Sequence, residues 1–262
     1  MEKKTLSEMF EANMHIGNKS NYRNPKVKEY IYGASNGVHV INLVKTAEKI
    51  ETLKAALTTA TKEGKKVLIV ATKLQVKDAF VKLAIDTGSF YVSEKWVPGL
   101  LTNFKTIKKR IATYIKLSED LGSGALDVLT KKEKAVKMLE LEKLDKSFKG
   151  LKEMNRVPEI IFVVDGVFEA QALREASILG LTSYQIINTN GDIDLASDFA
   201  LANTNSTKAM AYLASTFSGS IVKGAKREAS ATVRMDAPKN GAPTAKTFVK
   251  KADVKPTEEA AA

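Results

Sequence analysis

The chain has 262 residues, a formal net charge of +11 and a pI of about 9.5, so its electric field favours anionic partners. It contains no cysteine, which excludes disulfides, thiolate nucleophiles and thiolate metal sites. The N-terminus leads into no apolar segment typical of a signal peptide, and no run of about 18 apolar residues predicts a membrane span. We therefore expect a cytoplasmic protein with one α/β domain and an appendage, or with two small domains.

Predicted strands and helices alternate along most of the chain. A short helix is expected at residues 5–14, and an ordered loop at residues 15–37. The predicted strands are residues 38–42, 67–71, 89–92, 160–165 and 184–187. The predicted helices are residues 46–64, capped by Thr46 and ended by Gly64, and residues 74–86, 168–179 and 206–222. This alternation predicts a doubly wound parallel sheet of the Rossmann or flavodoxin type.

Residues 104–151 predict a lysine-rich helical hairpin inserted into that domain. The apolar stripe of its first arm is Phe104, Ile107, Ile111, Tyr114, Ser118 and Leu121. The answering stripe is Met138, Leu141, Leu144, Phe148 and Leu151. This spacing is typical of a coiled-coil seam. A glycine-serine-glycine break follows the first arm, Thr130 and Glu133 form a capping-box pattern, and each arm would reach roughly 25 Å.

The basic charge is distributed unevenly. Residues 104–151 hold 12 Lys and Arg against 7 Asp and Glu, whereas residues 152–224 hold 5 against 8. Residues 225–262 hold 8 against 5, lose periodicity and predict a disordered basic tail. The expected division is therefore an α/β domain of residues 1–103 with 152–224, a coiled-coil hairpin and this tail.

The loops that a nucleotide-binding enzyme needs are missing. No strand is followed by a glycine-rich phosphate loop, and the nucleophile elbow of hydrolases is absent. His39 lies in an apolar run typical of the core, and His15 could either contact a phosphate or belong to a plain loop. Residues 188–194 have alternately spaced oxygens, which fit either a cation loop or a capped turn.

Three clusters combine cations with aromatic or amide side chains, the groups that contact phosphates and unpaired bases. The first cluster is residues 19–28, the second is residues 95–105 and the third is the outer side of the first hairpin arm. Trp96, in the second cluster, is expected to anchor the hairpin in the core. The residues that we predict to bind RNA are Lys19, Tyr22, Arg23, Asn24, Lys26, Lys28, Asn103, Lys105, Lys108 and Lys109.

The chain closely resembles the bacterial small-subunit ribosomal protein S-two family over roughly residues 5–224. Among the motifs that carry the resemblance are His15-Ile16-Gly17, Asn24-Pro25-Lys26, Tyr30-Ile31-Tyr32-Gly33, His39-Val40-Ile41-Asn42-Leu43, Leu101-Thr102-Asn103-Phe104-Lys105-Thr106 and Asn188-Thr189-Asn190. Asn18 departs from the histidine usual in the family, and Asn188 from a frequent aspartate. Some members carry a metal near residues 188–194, so a structural metal there is one alternative.

The resemblance implies a structural, non-enzymatic component of the small ribosomal subunit. Such proteins bind small-subunit rRNA between head and body, contact neighbouring ribosomal proteins and help to anchor ribosomal protein S-one for mRNA capture. We expect no resident cofactor, no membrane contact and no homo-oligomer. Two alternatives stay open from the residues alone: an α/β enzyme acting on a phosphorylated ligand, and a coiled-coil adaptor with no role in RNA binding.

Overall fold

The computed structural model describes residues 3–124 and 129–221. Its strands are β1 (Ile16–Lys19), β2 (Ile31–Ser35), β3 (Val38–Ile41), β4 (Val67–Val70), β5 (Phe90–Val92), β6 (Ile160–Val164), β7 (Thr182–Ile187) and β8 (Asp198–Leu201). Its α-helices are α1 (Lys3–Glu11), α2 (Leu43–Lys62), α3 (Leu74–Thr87), α4 (Phe104–Gly122), α5 (Lys131–Phe148), α6 (Ala170–Ile178) and α7 (Thr207–Ser218). The predicted tail, residues 225–262, lies outside the described residues.

The main sheet is parallel and has the strand order β5-β4-β6-β7-β8. Every residue of β4 and β6 is buried, because helices cover both faces of the sheet. One apolar layer combines α1, α2, α3 and α7, and the other combines the inner parts of α4 and α5 with α6. The predicted doubly wound α/β fold is confirmed. Strand β8 was not predicted, and its buried residues Phe199 and Leu201 complete the sheet.

The prediction that residues 15–37 form an ordered loop without strands was wrong. This segment supplies β1 and β2, which pair antiparallel with β3 in a second, three-stranded sheet. Asn36 and Gly37 both have positive φ (50° and 75°), the conformation that an Asn-Gly hairpin turn requires. Val27 and Ile41 pack with the ends of β7 and β8, so the small sheet is attached to the main one by its own apolar cluster.

Helix caps explain where several elements begin. The predicted cap of α2 at Thr46 was wrong, because the Asn42 side chain accepts hydrogen bonds from the backbone of Val44 and Lys45. The capping box that opens α5 is confirmed, since Thr130 and Glu133 exchange side-chain and backbone hydrogen bonds.

Helices α4 and α5 lie side by side and antiparallel. The Tyr114 hydroxyl donates a hydrogen bond to Asp145. Farther toward the tip, one groove is lined by Ser118, Leu121 and Met138. Burial falls along the pair: Ile111 and Tyr114 belong to the core, whereas Leu121 and Met138 are exposed. A coiled-coil seam over the full predicted length stays a prediction. Among the described residues, no helix is long and apolar enough to cross a membrane.

Gly150 ends the return arm where there is no room for a side chain. A Cβ there would overlap the backbone oxygen and ring of Tyr91 on β5. We expect Gly150→Ala to lower the free energy of unfolding by about 1–3 kcal/mol because the arm must shift away from the sheet edge.

Gly122→Ala is the matched control, since a Cβ at Gly122 meets nothing within 4 Å. Urea unfolding of both variants checks the prediction. Equal stability of the two variants would show that the end of the return arm moves freely.

Candidate nucleic-acid interface

The basic loop, residues 19–28, runs from β1 into a 3-10 turn at Pro25–Tyr30. Lys19, Arg23 and Lys28 are exposed and form no ion pair with another described residue. The Tyr22 ring is 67% exposed. Three cations and one ring therefore face solvent together, a surface able to neutralise phosphates and stack on a base.

Two other predicted contact residues hold this loop in place. The Asn24 side-chain oxygen accepts from the Lys26 backbone, and the Asn24 backbone N–H donates to the Thr189 carbonyl. The Lys26 ammonium lies 3.1 Å from Asp192 and also bonds Asp194. These carboxylates raise the pKa of Lys26, chiefly through their hydrogen bonds. Asn24 and Lys26 therefore make contacts within the protein, and these contacts were not predicted from the sequence.

Residues 188–194 use many of their oxygens internally. The Asn188 oxygen accepts from the Thr189 N–H, and the Asn190 oxygen accepts from the Asn18 amide at 2.8 Å. Asp192 accepts from the Asp194 N–H, which is the capped turn considered above. The Lys26 ammonium occupies the position between the two carboxylates. Among the described residues, no group of three or more His, Cys, Asp or Glu side chains is placed to hold a metal.

The first hairpin arm carries the second group of predicted contacts. Asn103, Lys105 and Lys109 are exposed, and the Lys108 ammonium donates to the Asn155 carbonyl at 3.2 Å. Between residues 104 and 118 the arm has five Lys and Arg and no Asp or Glu. None of these cations forms an ion pair with another described residue, in contrast to the return arm, where Lys137 pairs with Glu140 and Lys146 with Glu142.

The root loop, residues 96–102, connects this arm to the domain. Trp96 is buried, as predicted, and its indole N–H donates to the Glu175 carboxylate at 3.0 Å. The backbone N–H groups of Gly99, Leu101 and Thr102 donate to the same carboxylate at 2.8, 3.1 and 3.4 Å. Burial alone would raise the pKa of Glu175, but these hydrogen bonds outweigh it and lower the pKa.

The crevice between the carboxyl ends of β4 and β6 is where doubly wound folds usually bind ligands. Here Lys73 and Asp165 form an ion pair across it at 2.7 Å. Thr204 donates to the same carboxylate at 3.0 Å, and Thr72 bonds Glu169 beside it. Burial raises the pKa of the Glu169 carboxyl, and the neighbouring Asp165 charge adds to that rise. Protein side chains therefore occupy the position that a phosphate would need.

Neither histidine forms a hydrogen bond with the predicted RNA-binding residues among the described residues. His39 is buried in β3 as predicted, although neither ring nitrogen has a hydrogen-bond partner among the described residues. The His15 ring stacks on Phe10, with centroids 4.2 Å apart. No hydrogen bond or ion pair between described residues joins the basic loop to the first arm.

Comparison with known proteins agrees with this picture. Residues 9–224 match the family described as Ribosomal protein S2. The chain belongs to the ribosomal protein S2 family. One relative, the small ribosomal subunit protein uS2 of Coprothermobacter proteolyticus, is 39% identical over 220 residues, which cover 84% of this chain and 82% of the relative. The uS2 of Fusobacterium nucleatum is 38% identical over 221 residues, which cover 84% of this chain and 90% of the relative.

Another relative, the small ribosomal subunit protein uS2c of Gracilaria tenuistipitata, is 36% identical over 84% of this chain and 95% of its own length. Membership of the ribosomal protein S2 family gives this chain a structural role in the ribosome rather than an enzymatic one. The family therefore agrees with the occupied crevice, and the open alternative of an α/β enzyme is set aside.

The ion pairs of Lys26 generate a prediction that separates loop structure from RNA contact. Lys26→Met leaves Asp192 and Asp194 facing each other without a counter-charge, whereas Lys28→Met removes one exposed cation with no described ion-pair partner. We expect several-fold faster amide hydrogen exchange in residues 20–28 for Lys26→Met and unchanged exchange for Lys28→Met. Equal exchange rates in both variants would mean that Lys26 does not hold the loop.

Proposed function

We propose that this member of the ribosomal protein S2 family binds small-subunit rRNA between the head and the body of the cytoplasmic ribosome. The observation that carries the proposal is the cationic side of α4, which has five Lys and Arg and no acidic residue over residues 104–118 and forms no ion pair with another described residue. Such a row can follow a phosphate backbone. The exposed cations and Tyr22 of the basic loop would form a second contact.

We assign a different role to each of the predicted parts of the chain. Residues 1–103 with 152–224 would serve as the platform, and the hairpin of residues 104–151 as the part that reaches RNA. The inner half of the hairpin packs on the sheet, which supports a fixed rather than a loosely tethered arm. The basic tail, residues 225–262, would add to the net positive charge that attracts an anionic partner.

Reversing three charges on the first arm tests the proposal. Lys105→Glu, Lys108→Glu and Lys109→Glu together should reduce the protein retained on small subunits after a high-salt wash by about tenfold, because phosphate contacts become repulsive. Sucrose-gradient sedimentation measures the retained fraction.

The return arm offers a control with the same charge change. Lys131→Glu, Lys132→Glu and Lys143→Glu alter three exposed lysines among interspersed acidic residues. Retention close to that of the unchanged protein is expected. Equal loss from both triple variants would point to net charge rather than to the α4 surface, and normal retention of the folded first-arm variant would contradict the proposal.

We further propose that the chain helps to anchor ribosomal protein S-one during mRNA capture, through a surface separate from the cations. The supporting feature is a shallow surface pocket of about 500 Å³ between α1, β2 and the start of α2. Its lining includes Tyr32 and Phe10, which are 82% and 59% exposed, and Val44, which is also exposed. Exposed aromatic and aliphatic groups around a hollow are typical of protein-binding surfaces.

Tyr32→Asp with Val44→Asp should remove most of the S-one that copurifies with small subunits, while the chain itself stays bound. The control pair is Val136→Asp with Leu139→Asp, which are similarly exposed apolar residues on the return arm. Quantitative mass spectrometry of washed subunits gives both amounts. An unchanged amount of S-one in the first double variant would contradict this part of the proposal.

A further inference from the structure

The direction of the hairpin depends on how its root loop is fixed to the domain. Apolar side chains of α4, including Ile107, Ile111 and Tyr114, pack against the sheet. Apolar burial is non-directional and tolerates sliding and rotation. Hydrogen bonds are directional, because they weaken steeply away from linear geometry. The groups that set the angle of the arm should therefore be sought among the buried hydrogen bonds at its root.

Glu175 has the position and the chemistry for this role. It lies on α6 among the buried residues Ala172, Leu173 and Ala176, and it is itself only 2% exposed. An acidic side chain on a buried helix face is costly unless it is fully hydrogen-bonded. The root loop supplies those hydrogen bonds, and all of the described donors to this carboxylate come from residues 96–102.

Each of the two carboxylate oxygens accepts hydrogen bonds from a different half of the root loop. One oxygen accepts from the Trp96 indole and the Gly99 backbone, at 3.0 and 2.8 Å. The other accepts from the Leu101 backbone at 3.1 Å and from the Thr102 backbone and hydroxyl, both at 3.4 Å. Two residues after Thr102, α4 begins. One side chain therefore fixes both halves of the segment that leads into the arm.

We propose that Glu175 is a positioning residue that sets the direction of the hairpin relative to the parallel sheet. Without the carboxylate, the helices still form and the apolar contacts remain, but the arm samples a range of angles. The exposed cations of α4 would then no longer lie on one fixed line. This functional consequence rests on the proposed function, whereas the positioning role itself does not.

A distance measurement within the isolated protein tests the role. Because the chain has no cysteine, Lys62→Cys and Lys132→Cys would introduce its only two thiols, one at the end of α2 and one near the tip of the hairpin. Both positions are exposed. Spin labels on these thiols report the angle of the arm through pulsed electron–electron double resonance. We expect one narrow distance peak for the otherwise unchanged protein and a broad distribution for Glu175→Ala.

Three further variants make the result specific. Glu175→Gln keeps one oxygen and should broaden the peak less than Glu175→Ala does. If the alanine variant fails to fold, the glutamine variant still tests the proposal. Trp96→Phe removes one donor and should broaden it least. Leu57→Ala opens a cavity in α2, on the opposite face of the sheet, and should lower the melting temperature while leaving the peak narrow.

Two results would overturn the proposal. One is a narrow peak of unchanged position in the folded Glu175 variants. The other is equal broadening in Leu57→Ala, which would indicate general loosening. No RNA is present in this experiment, so its failure leaves rRNA binding untouched, and a failure of the charge-reversal test leaves the positioning role untouched.

Discussion

The ion pair between Lys73 and Asp165 is the contact on which the arrangement of the polar edge depends. It joins the carboxyl ends of β4 and β6, the two strands at which the chain changes direction across the sheet. The same Lys73 ammonium also donates to Asn205, whose amide donates to Asn18 on β1. This partly buried charge pair thus links the parallel sheet to the small antiparallel sheet, because each partner's remaining hydrogen-bonding capacity is used by a neighbouring element.

The ion pair across the crevice bears on where this fold could bind a partner. A doubly wound sheet offers one favoured ligand position, and protein side chains occupy it here. A role for the outer surfaces, as we propose, is consistent with the structural role of the ribosomal protein S2 family. The surfaces are chemically distinct: exposed cations on α4 and on the basic loop, and exposed apolar groups around Tyr32. Such separation lets one small domain contact an anionic and an apolar partner at the same time.

Local sequence predicted the elements whose signal is contained within a few residues. The apolar runs of β4 and β6 and the capping box at Thr130 needed no tertiary information. Strand β1, Ile-Gly-Asn-Lys, carries no alternation and exists because β3 pairs with it. The ion pairs of Lys26 join residues more than 160 positions apart. The sequence therefore could not show whether Lys26 is an exposed cation or a residue that holds the loop in place. Glu175 did leave a signal, an acidic residue on an otherwise apolar helix face, whose partners only the fold reveals.

The structure of the hairpin reflects a balance between the burial of its apolar stripe and the repulsion among its cations. Its apolar stripe is buried near the sheet and exposed toward the tip, so the outer half gains little stability from the core. The cations concentrate on the inner part of α4, where Ile107, Ile111 and Tyr114 pack against the sheet. A row of like charges repels itself and favours motion, and the fixed root opposes that motion. Placing the cations on the anchored half would keep their spacing constant, which would lower the entropy lost in the proposed contact with a phosphate backbone.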